Sequence, residues 1–469
     1  MRSRLRAAAR ATAVLTAAAL VCGACSIGSS VPTPWADRPV VTLAFDVPAD
    51  LQSVRGQERV EFTPDLATCE LVFRAWPNKP ATSAAGDSLV VQRAAVDGRQ
   101  AELVDVASGA PDDAPAGTLL RIPLDDCLEP GQRVTVDLDF TLQLGPDVDE
   151  RVGTSSTLDV AWFGTAFPLL AWVRGRGWDS DPAVAVTGEM AVSEDFQLAS
   201  LDVTAPSSYA VTGAGRLVGT TEGAAAGTTR HRFTASAVRD VTVSVGDLEV
   251  AERRINGVQV HLAADRAADA STLAEWAAQI RTSMDSLVTL LGPFPYDDLW
   301  VTVLSSESSG IEFPGAVQFA DVDVSTRSAL VTHELAHMWF HGLVGSDQGT
   351  DPWLDESFAT FAQLVADGQS SPTDQPSGAA RDDVGETMAY WLRFRQPSSV
   401  YYDTVYTEGG AALVEARDRA GHAAFDDALR SYLRDNAYSV ATPADVAAAF
   451  ADLPEALAVL RRVGALPPP

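Results

Sequence analysis

Lysine is almost missing from this chain. Lys79 is the single example in 469 residues, so nearly every base is arginine. That bias reads as genome composition and not as chemistry. Bases of any kind are scarce, 34 against 63 acids, for a formal net charge of −29. The shortage argues against a nucleic-acid partner, whose binding needs basic surface to displace counterions. The acid excess bears on solubility and on repulsion from anionic surfaces. Low-complexity sequence is also missing. Hydrophobic residues make up 46% of the chain, and 27 Pro and 34 Gly are spread along it, which excludes a largely disordered or collagenous protein. No repeat of 20–50 residues is evident, so a solenoid is not indicated. The length calls for two or three domains.

Cysteine is sparse, with four in all: Cys22, Cys25, Cys69 and Cys127. The first two close a targeting segment. Arg2, Arg4, Arg6 and Arg10 form a basic start, and an Ala/Leu/Val stretch follows from Ala11 to Val21. That stretch is too short to span a bilayer and has the length of a signal h-region. Cys22-Gly23-Ala24-Cys25 resembles a bacterial lipobox, which makes residues 1–24 a signal peptide and Cys25 a lipidated first residue. Cleavage by ordinary signal peptidase, with secretion, is the alternative. In an exported chain two remaining cysteines more often pair than ligate metal, so Cys69 and Cys127 are expected to form a disulfide.

Residues 25–37 read as a tether. From Val40 to about Val250 the hydrophobic period is two, as in Val41-Leu43-Phe45, Val54-Gly56-Glu58-Val60-Phe62 and Val134-Val136-Leu138-Phe140. This predicts an antiparallel β domain over 38–254. Beyond it, Val258-Val260-Leu262 and Leu299-Val301-Val303 still alternate, while 267–291 and most of the chain after Ser325 have helical spacing. The expectation for 255–469 is an α+β domain, strands first and helices after.

Histidine is scarce too, yet three of the six, His333, His337 and His341, fall within nine residues. The run His333-Glu334-Leu335-Ala336-His337 lies in a stretch that reads as helical from 326 to 341. On a helix, residues i and i+4 share a face, so two imidazoles can reach one metal ion and Glu334 can reach a water beside it. Two satisfied histidines on a polar helix face are the bland alternative. His341 is excluded as a third ligand, because it lies about 12 Å from His333 along a helix axis. Glu356, in the next amphipathic segment (Leu354, Phe358, Phe361, Val365), can face the histidines if the glycine-containing link lets the two helices pack antiparallel. An ordinary first-turn acid favoured by the helix dipole is the competing reading.

With HELAHMWF at 333–340 and the Glu of WLDESFATF placed after eighteen residues intervening from His337, the chain resembles the aminopeptidase N family of zinc metallopeptidases, a gluzincin group. Ser309-Gly310-Ile311-Glu312-Phe313-Pro314-Gly315 is similar to that family's Gly-x-Met-Glu-Asn strand. Val405-Tyr406-Thr407-Glu408-Gly409-Gly410 is similar to its Tyr-x-Lys-Gly segment. The resemblance covers about residues 40–450 and implies a thermolysin-like catalytic domain over 255–469. It implies one zinc per chain held by His333, His337 and Glu356, with Glu334 as general base. Tyr406 would be a donor to the oxyanion, and Glu312 the acceptor of a peptide's free α-ammonium. The family's second amine anchor is not identifiable; Phe163–Trp178 is a candidate wall of the site. Ser309, Phe313 and Glu408 depart from the family's Gly, Asn and Lys. The helical end after Tyr406 is short, which suggests a more open cleft. An exported aminopeptidase acting on peptides, anchored to the outer face of the cell membrane through Cys25, is the expectation. An open-cleft endopeptidase and a non-catalytic surface binding protein are the alternatives.

Overall fold

The computed structural model describes residues 31–106, 118–181, 183–186, 188, 192–369 and 381–468. The signal and lipobox reading falls outside them. The described chain from Val31 onward forms one compact unit.

Its first part is β-rich. An eight-stranded sheet has at its centre Val40–Asp46, flanked by Phe196–Pro206 and Ser53–Phe62; beyond these lie Thr228–Val238 on one side and Val134–Gln143 on the other. The alternation read from the sequence sets its faces. In Ser53–Phe62, Val54, Gly56, Glu58, Val60 and Phe62 are buried and the residues between them are more exposed. One pair departs from the antiparallel expectation: Val40–Asp46 runs parallel to Phe196–Pro206. Smaller sheets pack with it, including the antiparallel pair Thr68–Arg74 and Leu119–Leu128. Cys69 on the first of these strands is bonded to Cys127 on the second, as expected.

The second part is mixed. Five strands run in the order Leu248–Ile255, Val258–Asp265, Asp298–Leu304, Ala316–Ala320, Gly310–Phe313. The middle three are parallel, and Gly310–Phe313 is an antiparallel edge. The helix Leu273–Leu291 makes the crossover, opened by a capping box between Thr272 and Glu275. The alternation in Asp298–Leu304 describes only half of its environment, since all seven residues are buried. Leu299, Val301 and Val303 join the core with Ile280 and Leu287 of that helix. Trp300 faces the β-rich part, where its indole donates to the Gly215 carbonyl at 2.7 Å. The sheet is thus covered on both sides.

Two helices carry the histidine and glutamate motifs. The first, Ser328–Ala336, is shorter than the 326–341 stretch read from the sequence. The chain turns after His337: the Gly342 amide bonds the His337 carbonyl at 2.8 Å, and His341 takes a φ of 138°. The second, Trp353–Ala366, has the amphipathic pattern, with Glu356, Thr360 and Gln363 toward the cleft, but is buried on both faces. Every residue from Trp353 to Leu364 is buried, because the helix runs through the middle of the domain against Ser328–Ala336, Leu273–Leu291 and Gly409–Ala420.

Candidate metal centre and active-site cleft

The His333 and His337 rings stand on the last turn of Ser328–Ala336 and just past it, with their Nε2 atoms 3.2 Å apart. Glu356 Oε2 lies 3.3 Å from His333 Nε2 and 3.4 Å from His337 Nε2. Three donor atoms at these spacings match a tetrahedral ion, since ligand bonds near 2.05 Å put neighbouring ligand atoms about 3.3 Å apart. The Glu356 oxygen is buried and has no hydrogen-bond partner, a cost that a bound cation would remove.

Asp355, to which the sequence reading assigned no role, completes the geometry. Its Oδ1 lies 2.7 Å from His337 Nδ1, which also lies 3.1 Å from the Phe340 carbonyl. Both partners are acceptors, so they hold the proton on Nδ1 and leave the Nε2 lone pair facing Glu356. Gln348 donates to Asp355 Oδ2 at 2.7 Å, and His341 Nδ1 lies 3.4 Å from the same oxygen. His341 therefore touches the carboxylate behind the ligand cluster and not the cluster itself. Burial opposes charge on His337, but Glu356 and Asp355 outweigh it and raise its pKa.

Glu334 is 4% exposed and its Oε2 has no partner. Burial pushes its carboxyl up, opposed by His337 and reinforced by Glu312 and Glu356. Gly310 accounts for the fit of this side chain: a methyl group there would collide with the Glu334 carboxylate. The edge strand therefore passes directly over the proposed base, and two residues later it presents Glu312. Arg151 Nη2 lies 3.2 Å from Glu312 Oε1. No local pattern in the sequence points to that cation.

Tyr406 sits in a π-helical segment, Tyr402–Glu408, a distortion frequent at functional sites. Its ring stacks on His333 with centroids 5.7 Å apart. Burial and the neighbouring Glu356 carboxylate push its phenol pKa up, so it remains a hydrogen-bond donor. The segment is held close by Ser357, whose hydroxyl donates to the Val405 carbonyl at 2.6 Å. Gly409 and Gly410 allow the approach, since side chains there would strike Ser357 and Thr360. Of the tyrosines packed beside Tyr406, Tyr401 is buried and Tyr402 lines the cleft, 39% exposed.

His333, Glu334, His337, Glu356, Glu312 and Tyr406 all line one cleft of about 500 Å³. The β-rich part contributes Lys79, Asp149, Glu150 and Arg151 to it. Phe163–Trp178 is absent from the lining; Gly164 instead packs beneath the Phe313 ring.

Residues 316–462 match the family model described as the Peptidase family M1 domain. Among curated relatives, the Tricorn protease-interacting factor F2 of Thermoplasma acidophilum is 28% identical over 177 residues, 33% of this chain and 23% of that protein. Aminopeptidase N of Streptomyces lividans is 28% identical over 169 residues, 30% of this chain and 19% of that one. The chain spans less than a quarter of the length of these two relatives. Among solved structures, an M1 zinc metallopeptidase from Deinococcus radiodurans shares the fold with a TM-score of 0.65. The two are 20% identical, and the match covers 92% of this chain and 94% of that one. Residues 316–462 are thus similar to the peptidase family M1 domain, and the chain shares its two-part fold, β-rich and then mixed α+β, with this structural neighbour.

Proposed function

We propose that the protein is a zinc-dependent peptidase that removes N-terminal residues from peptides. The observation that carries this reading is the convergence of His333 Nε2, His337 Nε2 and Glu356 Oε2 at 3.2–3.4 Å beside the Glu334 carboxylate. His333, His337 and Glu356 would hold one zinc ion. Zinc supplies a Lewis acid that polarises the scissile carbonyl and acidifies water. Glu334 takes a proton from the attacking water at its unpartnered oxygen and returns it to the departing amine. Tyr406 donates its phenolic hydrogen to the carbonyl oxygen as that oxygen gains charge. Glu312 accepts the free α-ammonium, which sets the first peptide bond in register with Glu334. Asp355 keeps His337 in the ligating tautomer.

The test has two readouts. The purified protein should hold about one zinc per chain, with loss in His337→Ala. Glu334→Gln should keep the metal and lose turnover of order a hundredfold or more. Full metal retention in both His337→Ala and Glu356→Ala sinks the zinc assignment; near-normal turnover in Glu334→Gln sinks the base. Free and N-acetylated fluorogenic peptides separate an aminopeptidase from an endopeptidase of the same chemistry.

Export and anchoring through a lipidated Cys25 extend this proposal to the cell surface. The lipobox-like run and the pairing of Cys69 with Cys127 support it. Detergent-phase partition of the whole protein that is lost in Cys25→Ser checks it; partition unchanged by that substitution refutes it.

A further inference from the structure

One wall of the cleft carries acids that the peptidase reading does not use. Glu307 belongs to the turn between the strands Asp298–Leu304 and Gly310–Phe313, and it faces Asp149 and Glu150 of the β-rich part across the same cavity as His333 and Glu334. Glu307 is 7% exposed, and its Oε1 is buried with no hydrogen-bond partner. Asp149 lines the same wall of the cavity, close enough to act on its carboxyl electrostatically. Asp149 is itself fixed by Ser308, whose amide donates to Oδ1 at 3.0 Å and whose hydroxyl donates to Oδ2.

Bases already present in that wall are committed elsewhere. Lys79 is paired with Glu150, and Arg151 with Glu312. Among the described residues no base forms an ion pair with Glu307 or Asp149, whereas the neighbouring Glu150 and Glu312 each have one. An apolar side chain placed there would leave Glu307 Oε1 buried and unpaired. A guanidinium or ammonium would satisfy it, and a guanidinium could address both carboxylates through its planar fork of donors.

We propose that Glu307 and Asp149 form a subsite for a cationic side chain, so that the preferred substrates are peptides beginning with arginine or lysine. This rests on the peptidase reading of the same cleft. The acidity of the chain as a whole, −29, also favours encounter with cationic peptides.

The experiment compares arginine with citrulline, its uncharged isostere. Fluorogenic arginyl and citrullinyl amides are assayed with the zinc-loaded protein. Binding of arginine amide and citrulline amide to the same protein is measured by calorimetry. At least a tenfold preference for arginine is expected in both readouts, and Glu307→Gln should bring the ratio toward one. Equal binding of the two amides by the wild-type protein overturns the subsite, and so does a ratio unchanged in a folded Glu307→Gln. A tenfold binding preference without hydrolysis of any amide supports the subsite and counts against the peptidase reading, so the two failures are distinguishable.

Discussion

Arg151 and Glu312 form a buried ion pair, Nη2 to Oε1 at 3.2 Å, that joins the β-rich part to the edge strand of the mixed sheet. The same guanidinium reaches the Glu312 backbone carbonyl and the Thr165 hydroxyl, each at 3.3 Å, and lies over the Phe313 ring at 4.6 Å from its centroid. Phe313, which stands where the resembled strand carries Asn, is the platform on which this cation rests. Two bonds from one planar group to a single residue set that residue's orientation.

Glu312 is therefore expected to be an aligned ammonium acceptor. Free-amine peptides should be cleaved at least tenfold faster than acetylated ones, about 1.4 kcal/mol, and Glu312→Ala should erase that ratio. Arg151→Lys keeps the charge but loses the fork, and should raise KM for free-amine peptides more than it lowers kcat. Equal cleavage of free and acetylated peptides at internal bonds would replace this reading with the endopeptidase one.

Asp355→Ala should weaken metal binding without abolishing it. His337 Nδ1 would lose the carboxylate at 2.7 Å and keep the Phe340 carbonyl at 3.1 Å. Loss of such an outer partner typically costs 10–100-fold in metal affinity. Competition with a chelator of known affinity reads the change; an unaltered midpoint contradicts the role.

Glu58 makes stability depend on pH. The alternation of Ser53–Phe62 turns it onto the core face, where both carboxylate oxygens lack partners and burial pushes its pKa well above the usual value. The folded state holds that proton more tightly than the unfolded chain. Its contribution to stability is therefore present in full below the ordinary carboxylate pKa and is lost as pH rises toward the folded value. Glu58→Gln should raise Tm at pH 8 by more than at pH 5, corresponding to about 1–3 kcal/mol. Parallel melting shifts at the two pH values would count against it.

The disulfide should contribute several kcal/mol. Cys69 and Cys127 are 58 positions apart, and closing a loop of that size restricts the unfolded chain by about 4 kcal/mol in the chain-entropy model. Both half-cystines are exposed, so Cys69→Ser with Cys127→Ser should cost little packing. Denatured, unreduced protein should show neither thiol free; quantitative labelling of both would refute the bond.

Much of this architecture is written in local patterns. A period of two over 40–250 and a helical period later in the chain specify which faces are buried, because each strand or helix repeats its side-chain direction over a few residues. His333, Glu334 and His337 share a helix face for the same reason, and their relation to one another needed no tertiary contact. Glu356 was legible through its spacing and its family resemblance, but its approach to the histidines requires two helices to pack, and burial on all sides of Trp353–Ala366 is what the amphipathic reading missed. Asp355, Arg151, Glu307 and Asp149 belong wholly to the tertiary level. Each acts through a partner far away in the chain, Arg151 on Glu312 and Asp149 on Glu307, and no period or spacing encodes which distant strands and turns meet. Which carboxylate stays free, and which is already held by a cation, is decided only when the β-rich part closes on the edge of the mixed sheet.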